Sequence, residues 1–157
     1  VKKLISVVPL IILLNLFLAF GQNRIIHYVN FENPPWVLGC DTLGTQTDMN
    51  ICSWAAYQKA DSVLEIICQD FIKFLEFRIK TETDKYQLNV QKRQKAKLIS
   101  SMKEFKKLRD NLSDVNAFEF EGGSIRPLIY NVTALEITVN QIKFLTNLFS
   151  NITKHYE

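Results

Sequence analysis

Three apolar stripes with the period of an α-helix leave this chain few ways to fold. Met49, Cys52, Ala56, Ala60, Val63, Ile67, Phe71 and Phe74 recur at spacings of three and four with no glycine or proline among them, which lines side chains along one side of a long helix. Thr45 or Thr47 can accept from the free amides of the first turn, and Asp48 suits the positive end of the helix dipole. The pattern fades across Thr81 to Tyr86, where a bend or short connection is expected. A second stripe passes through Leu88, Gln91, Lys95, Leu98, Met102, Phe105 and Leu112. Its polar start predicts first turns that stand clear of the core. The third stripe is Leu128, Val132, Leu135, Val139, Ile142, Leu145, Phe149 and Ile152. Between the last two, Phe118-Glu119-Phe120-Glu121-Gly122-Gly123-Ser124 reads as a turn in which the glycines supply unusual backbone angles and Ser124 can cap the third helix, with Pro127 in that helix's first turn. Three helices with one apolar face each bury one another only as a bundle, so the expected class is all-α, a small bundle of about three long helices.

The residues ahead of the first stripe are of a different kind. Lys2 and Lys3 stand before an almost uninterrupted apolar run from Leu4 to Phe20 that ends in Ala19-Phe20-Gly21. A charged start, an apolar middle and small residues before a cleavage point are the marks of a secretory signal peptide, and the run is on the short side for a retained membrane span. Residues 1–21 are therefore expected to be removed, with Gln22 as the new N-terminus and a secreted or periplasmic location. Val1 fits a non-methionine start codon, which with the short basic start points to a bacterial source. Residues 22–44, with Pro34, Pro35, Trp36 and Gly39 and no sustained helical period, predict an extended arm, and residues 45–157 the helical domain.

Losing residues 1–21 takes two lysines from the 19 basic side chains and none of the 16 acidic ones, so the net charge falls from +3 to about +1. A nearly neutral secreted chain gives no reason to expect a nucleic-acid partner, and the cations of the second helix, Lys92 to Arg109, read as a solvated face because no aromatic residue interleaves with them before Phe105. No membrane association is expected once the leader is gone.

Catalytic and metal chemistry find little support. His27 and His155 are too far apart in context to form a site, and no serine has a nucleophile-elbow surround. Asp61, at the edge of the first stripe, is expected to lie partly buried against a cation such as Arg109 rather than to act as a general acid, which would need a second positioned group. Cys40, Cys52 and Cys68 allow one internal disulfide and one odd thiol in an oxidising compartment. Two thiols without a further cysteine or histidine nearby make a poor zinc site, so neither metal nor cofactor is expected. Asn111, Asn131 and Asn151 begin Asn-x-Ser/Thr sequences, which carry glycans only in a eukaryotic secretory pathway.

The run from Cys40 to Cys52, with Thr45-Gln46 ahead of Asp48-Met49-Asn50, and the Tyr57, Ala60-Asp61, Leu64 series beyond it, resembles the opening motif of the LprI-like lysozyme-inhibitor family. Arg109-Asp110 is similar to the family's Arg-Asp pair, Gly122-Gly123-Ser124-Ile125 to its Gly-Gly-Ser turn, and Thr138 with Leu145 to its closing helix. The likeness covers nearly everything after residue 40, densely at the front and in patches behind. Departures are Glu65 and Cys68 where the family usually has Asn and Tyr, Gln141 where an arginine is expected, and Ser113 and, within a residue or so, Thr133 in place of a second cysteine pair. That this pair is missing as a pair while Cys40 and Cys52 stay together supports a Cys40–Cys52 disulfide.

The resemblance implies a secreted or periplasmic helical binding domain and not an enzyme. One reading is an inhibitor that presents a loop to the cleft of a lysozyme-type enzyme, with Pro34, Pro35 and Trp36 on the arm, or Phe118 and Phe120 on the turn, as exposed anchors. The other is a cell-envelope protein-interaction module without inhibitory activity, favoured by the near-neutral charge, since lysozymes are usually strongly basic.

Overall fold

The computed structural model describes residues 29–39 and 44–154. The expected leader, the start at Gln22, Cys40, His27 and His155 lie outside them. Three helices follow one another, α1 (Gln46–Thr81), α2 (Lys85–Ala117) and α3 (Arg126–Lys154), with a short 3-10 turn, Phe118–Phe120, between the last two and no strand among the described residues. Of the two candidate caps, Thr45 is the one used. Its hydroxyl accepts from the Asp48 amide at 3.3 Å, and the Asp48 carboxylate accepts from the Thr45 amide at 2.9 Å, a reciprocal capping box. The connection falls at residues 82–84, where the Glu82 carboxylate takes the Thr83 and Asp84 amides and the Asp84 carboxylate caps α2 through the Gln87 amide.

Lys95 pairs with Glu76, Lys106 with Glu65 and Arg109 with Asp61, so rising numbers on α2 meet falling numbers on α1. Asn116 bonds to Thr133 and Arg109 to Thr138 in the same sense, and the bundle therefore runs up, down and up. Its core joins Ala60, Leu64, Ile67 and Cys68 of α1 to Ile142 and Leu145 of α3, with Leu98, Met102 and Phe105 of α2 packed against them. A second cluster stacks Phe71 and Phe149 edge to face at 4.9 Å.

The buried faces differ in part from the apolar stripes. Leu112 and Val132 are exposed, whereas Arg109, Ser113, Asn131 and Thr138 are buried. Each of these polar groups has a bonding partner inside the bundle, which is what makes its burial tolerable. The first turns of α2 do not stand wholly clear either: Gln91 is buried, its amide nitrogen donating to the Glu82 carboxylate at 3.0 Å.

The described part of the expected arm, residues 29–39, has no helix or strand and carries bends at residues 31–33 and a turn at 35–36. The Asn30 side chain accepts from the Glu32 and Asn33 amides, and Val37 donates to the Pro34 carbonyl at 3.1 Å. Val29 and Trp36 enter the main core. Trp36 is 6% exposed, which corrects its reading as an exposed anchor: an indole is more stable covering the flank of the bundle than standing in water.

Candidate functional site

Five of the motif residues singled out in the sequence meet at one point inside the bundle. Arg109 occupies a core position of α2, its side chain 4% exposed, and its Nη1 donates to Asp61 Oδ1 of α1 at 2.5 Å and to Thr138 Oγ1 of α3 at 3.4 Å. Its Nε donates to the neighbouring Asp110 at 2.9 Å, and its guanidinium carbon lies 5.0 Å from the centre of the Tyr57 ring. Burial lowers the guanidinium's proton affinity, but the hydrogen bonds to Asp61 and Asp110 outweigh it and the net shift is upward. Burial also pushes the Tyr57 phenol up to about 12. Lys106 extends the cluster outward, 2.7 Å from Glu65 and 4.0 Å from Asp61. One cation thus fastens all three helices, and its charge is spent on that.

A second group of motif residues ties the start of α1 to the turn before α3. Asn50 donates to the Ser124 carbonyl at 2.9 Å and accepts from Gln46 at 3.0 Å. Asn131 donates to the Ser53 hydroxyl at 3.1 Å and to the Asn50 carbonyl at 3.4 Å. Asn131 is buried by these bonds, so a glycan there would require the helix ends to part. In the turn, Gly122 adopts φ 77°, and a Cβ on Gly123 would sit 3.2 Å from the Phe120 carbonyl, so both positions suit glycine. Ser124 serves this link through its carbonyl. Met49 is half-buried and Leu64 fully buried, a core role.

These two groups hold in place the surface around Phe118 and Phe120. Those residues are 55% and 38% exposed; ahead of them the Asn116 side chain donates to the Thr133 hydroxyl at 2.7 Å, and behind them the Ser124 carbonyl accepts from Asn50. Glu119 and Glu121 alternate with them and are exposed, and Asp114, paired with Arg126 at 3.1 Å, lies just before. Trp54, one heptad ahead of Asp61 and so on the same side of α1, is 56% exposed. Sequence periodicity did not single it out, because an exposed tryptophan carries no signal that separates it from a core one. Pro34 and Pro35 lie on the segment 29–39 and make no hydrogen bond to the motif residues among those described.

The family positions where this chain departs are satisfied locally. The Ser113 hydroxyl donates to the Arg109 carbonyl and the Thr133 hydroxyl to the Ile129 carbonyl, both at 2.8 Å. Glu65 receives Lys106, and Cys68 is a buried free thiol. Among the described residues no group of three or more His, Cys, Asp or Glu side chains is placed to hold a metal ion, and no helix is long and apolar enough to cross a membrane.

Neither the curated proteins nor the solved structures give a match. A family model described as lysozyme inhibitor LprI matches residues 40–145, which takes in both bonded motif groups, the Phe118–Ser124 turn and most of α3. The chain therefore belongs to the LprI lysozyme-inhibitor family.

Proposed function

We propose that this domain is an extracytoplasmic binding protein, not an enzyme, that inhibits a lysozyme-type enzyme of the cell wall by inserting the Phe118–Phe120 turn into its cleft. The observation that carries the reading is the turn itself: two exposed aromatic residues alternate with Glu119 and Glu121 just ahead of Ser124, whose carbonyl is held by the motif residue Asn50. Such a segment loses little conformational freedom on binding, and aromatic anchors on rigid backbone are the usual centres of binding energy. A near-neutral chain would be a poor match for a strongly basic enzyme if its charge were evenly spread. Here Glu119 and Glu121 stand exposed at the turn, Asp114 being paired with Arg126, while the lysines of α2 concentrate from Lys92 to Lys107, so the two glutamates give the turn a local charge that suits a basic partner. Removal of residues 1–21 and a Cys40–Cys52 disulfide belong to the same reading, since both suit a domain that works outside the cytoplasm.

The test is a titration of lysozyme-type activity with the purified protein. Inhibition by the parent, weakened about tenfold or more by Phe118→Ser with Phe120→Ser in a folded protein, supports the assignment. Absence of inhibition at large excess leaves the interaction module without inhibitory activity as the better description.

A further inference from the structure

At the end of the bundle remote from the Phe118–Phe120 turn, α2 and α3 stand apart enough to leave a cavity of about 290 Å³. Its floor is the second core cluster, Phe71 and Leu75 of α1, and Leu98 and Leu148 form opposite walls. Ser101 is a small, exposed member of the lining on α2, and Phe144 and Leu148 line the space from α3. Phe144 is 58% exposed at the opening, an apolar ring left half in water beside an apolar hollow.

Among the described residues, Lys97 is the one charged residue in the lining. It is exposed on α2, whereas Lys95 and Lys106 of the same helix are engaged with Glu76 and Glu65. Gln94, Ser101 and Gln141 add neutral hydrogen-bonding groups, and among the described residues no carboxylate lines the space. The volume is roughly twice that of the ~150 Å³ cavity known to take up benzene, room for about a dozen carbon atoms by the same proportion.

We infer that this groove binds a single-chain fatty acid, with its alkyl chain laid between α2 and α3 over Phe71 and Leu75 and its carboxylate at Lys97. An apolar trough takes up the chain without stranding a polar group, and a lone cation at its mouth selects an anion over a neutral or cationic head. The site is independent of the Phe118–Phe120 turn, and its failure would leave the inhibitory reading untouched.

The probe is dodecanoate, titrated below its micelle-forming concentration into the purified protein by calorimetry, beside dodecanol and dodecyltrimethylammonium. Saturable one-to-one binding of dodecanoate is expected, with the cationic amphiphile the weakest of the three. Lys97→Gln should weaken dodecanoate about three- to fivefold and leave dodecanol unchanged, the size of effect an exposed ion pair supports. Ser101→Trp, at an exposed position, should fill the groove and remove binding while the helical spectrum and melting temperature hold. Absence of saturable dodecanoate binding, or binding unchanged in a folded Ser101→Trp protein, would overturn the inference. So would a concentration-dependent dimer that Ser101→Trp dissociates, because the groove would then belong to a second copy of the chain.

Discussion

Arg109 on α2 and Asp61 on α1, 48 positions apart in the chain, meet at 2.5 Å with the arginine side chain 4% and the aspartate side chain 27% exposed. The arginine is the more deeply buried member, so removing Asp61 leaves its Nη1 with only the longer bond to Thr138 and its Nε with the partly exposed Asp110. Asp61→Ala should therefore cost about 3 kcal/mol in denaturant unfolding, the lower end for breaking a buried pair because one carboxylate face already meets solvent. Arg109→Met should cost less, and the double variant less than the sum of the two. Strict additivity in that cycle would mean that the pair contributes nothing as a pair.

Alkaline pH should destabilise the fold through two buried acids. Burial, followed by the nearby Glu65 charge, raises the Cys68 thiol from 9.0 to about 11, and burial raises the Tyr57 phenol from 10.0 to about 12. Both groups hold their protons more tightly when folded. Their contribution is full below the unfolded values and is lost as pH rises through the folded ones. Stability from these groups should be flat up to about pH 9 and then fall, Cys68 acting mainly between 9 and 11 and Tyr57 between 10 and 12. Chemical denaturation across this range, repeated with Tyr57→Phe, checks it: the Phe variant should keep the Cys68 slope and fall less steeply at higher pH, where the Tyr130 phenol, also raised by burial, still contributes.

The sequence was most legible where local chemistry decides the outcome. Thr45 with Asp48 starts α1, the polar cluster from Thr81 to Tyr86 holds the break, and Pro127 lies in the first turn of α3. The Asp61–Arg109 pair could also be anticipated, because an acid at the edge of an apolar stripe needs a cation. Less legible were buried positions that depend on a partner distant in the chain. Ser53, Asn131 and Thr138 look like surface residues until Asn131 reaches Ser53, and Arg109 reaches Thr138, across helices. Trp36 misled for the opposite reason, since a tryptophan in a Pro-Pro segment without helical period gives no sign that the bundle flank will cover it.

The contrast between the two tryptophans should be visible in solution. Trp36 is 6% and Trp54 56% exposed. Iodide should quench roughly the half of the emission that comes from Trp54, leaving a blue-shifted remainder from Trp36. Trp36→Ala should cost about 3–5 kcal/mol by opening a cavity in the main core cluster, whereas Trp54→Ala should stay within ~0.5 kcal/mol. Equal quenching of both single-tryptophan proteins would contradict the packing of residues 29–39 on the bundle.

The cysteines allow a test that joins stability to covalent structure. Cys68 lies in the main core, 6% exposed, and its raised pKa leaves almost no thiolate at neutral pH. Thiol titration of native protein should thus show little rapid reaction, and denaturation without reductant should release one free thiol per chain if Cys40 and Cys52 are joined as we propose. Cys68→Ser should cost about 1–2 kcal/mol, because a hydroxyl in place of the thiol would meet mostly apolar neighbours such as Leu64 and Ile142. Replacing Cys40 or Cys52 should cost more, about 2–4 kcal/mol for a closed loop of this length, and should raise the denatured thiol count from one to two. Three thiols in the denatured parent would rule out the bond. A disulfide-linked dimer that vanishes with Cys68→Ser would mean that this thiol reaches solvent, and that the face of α1 carrying Leu64, Ile67 and Cys68 is not the one turned to the core.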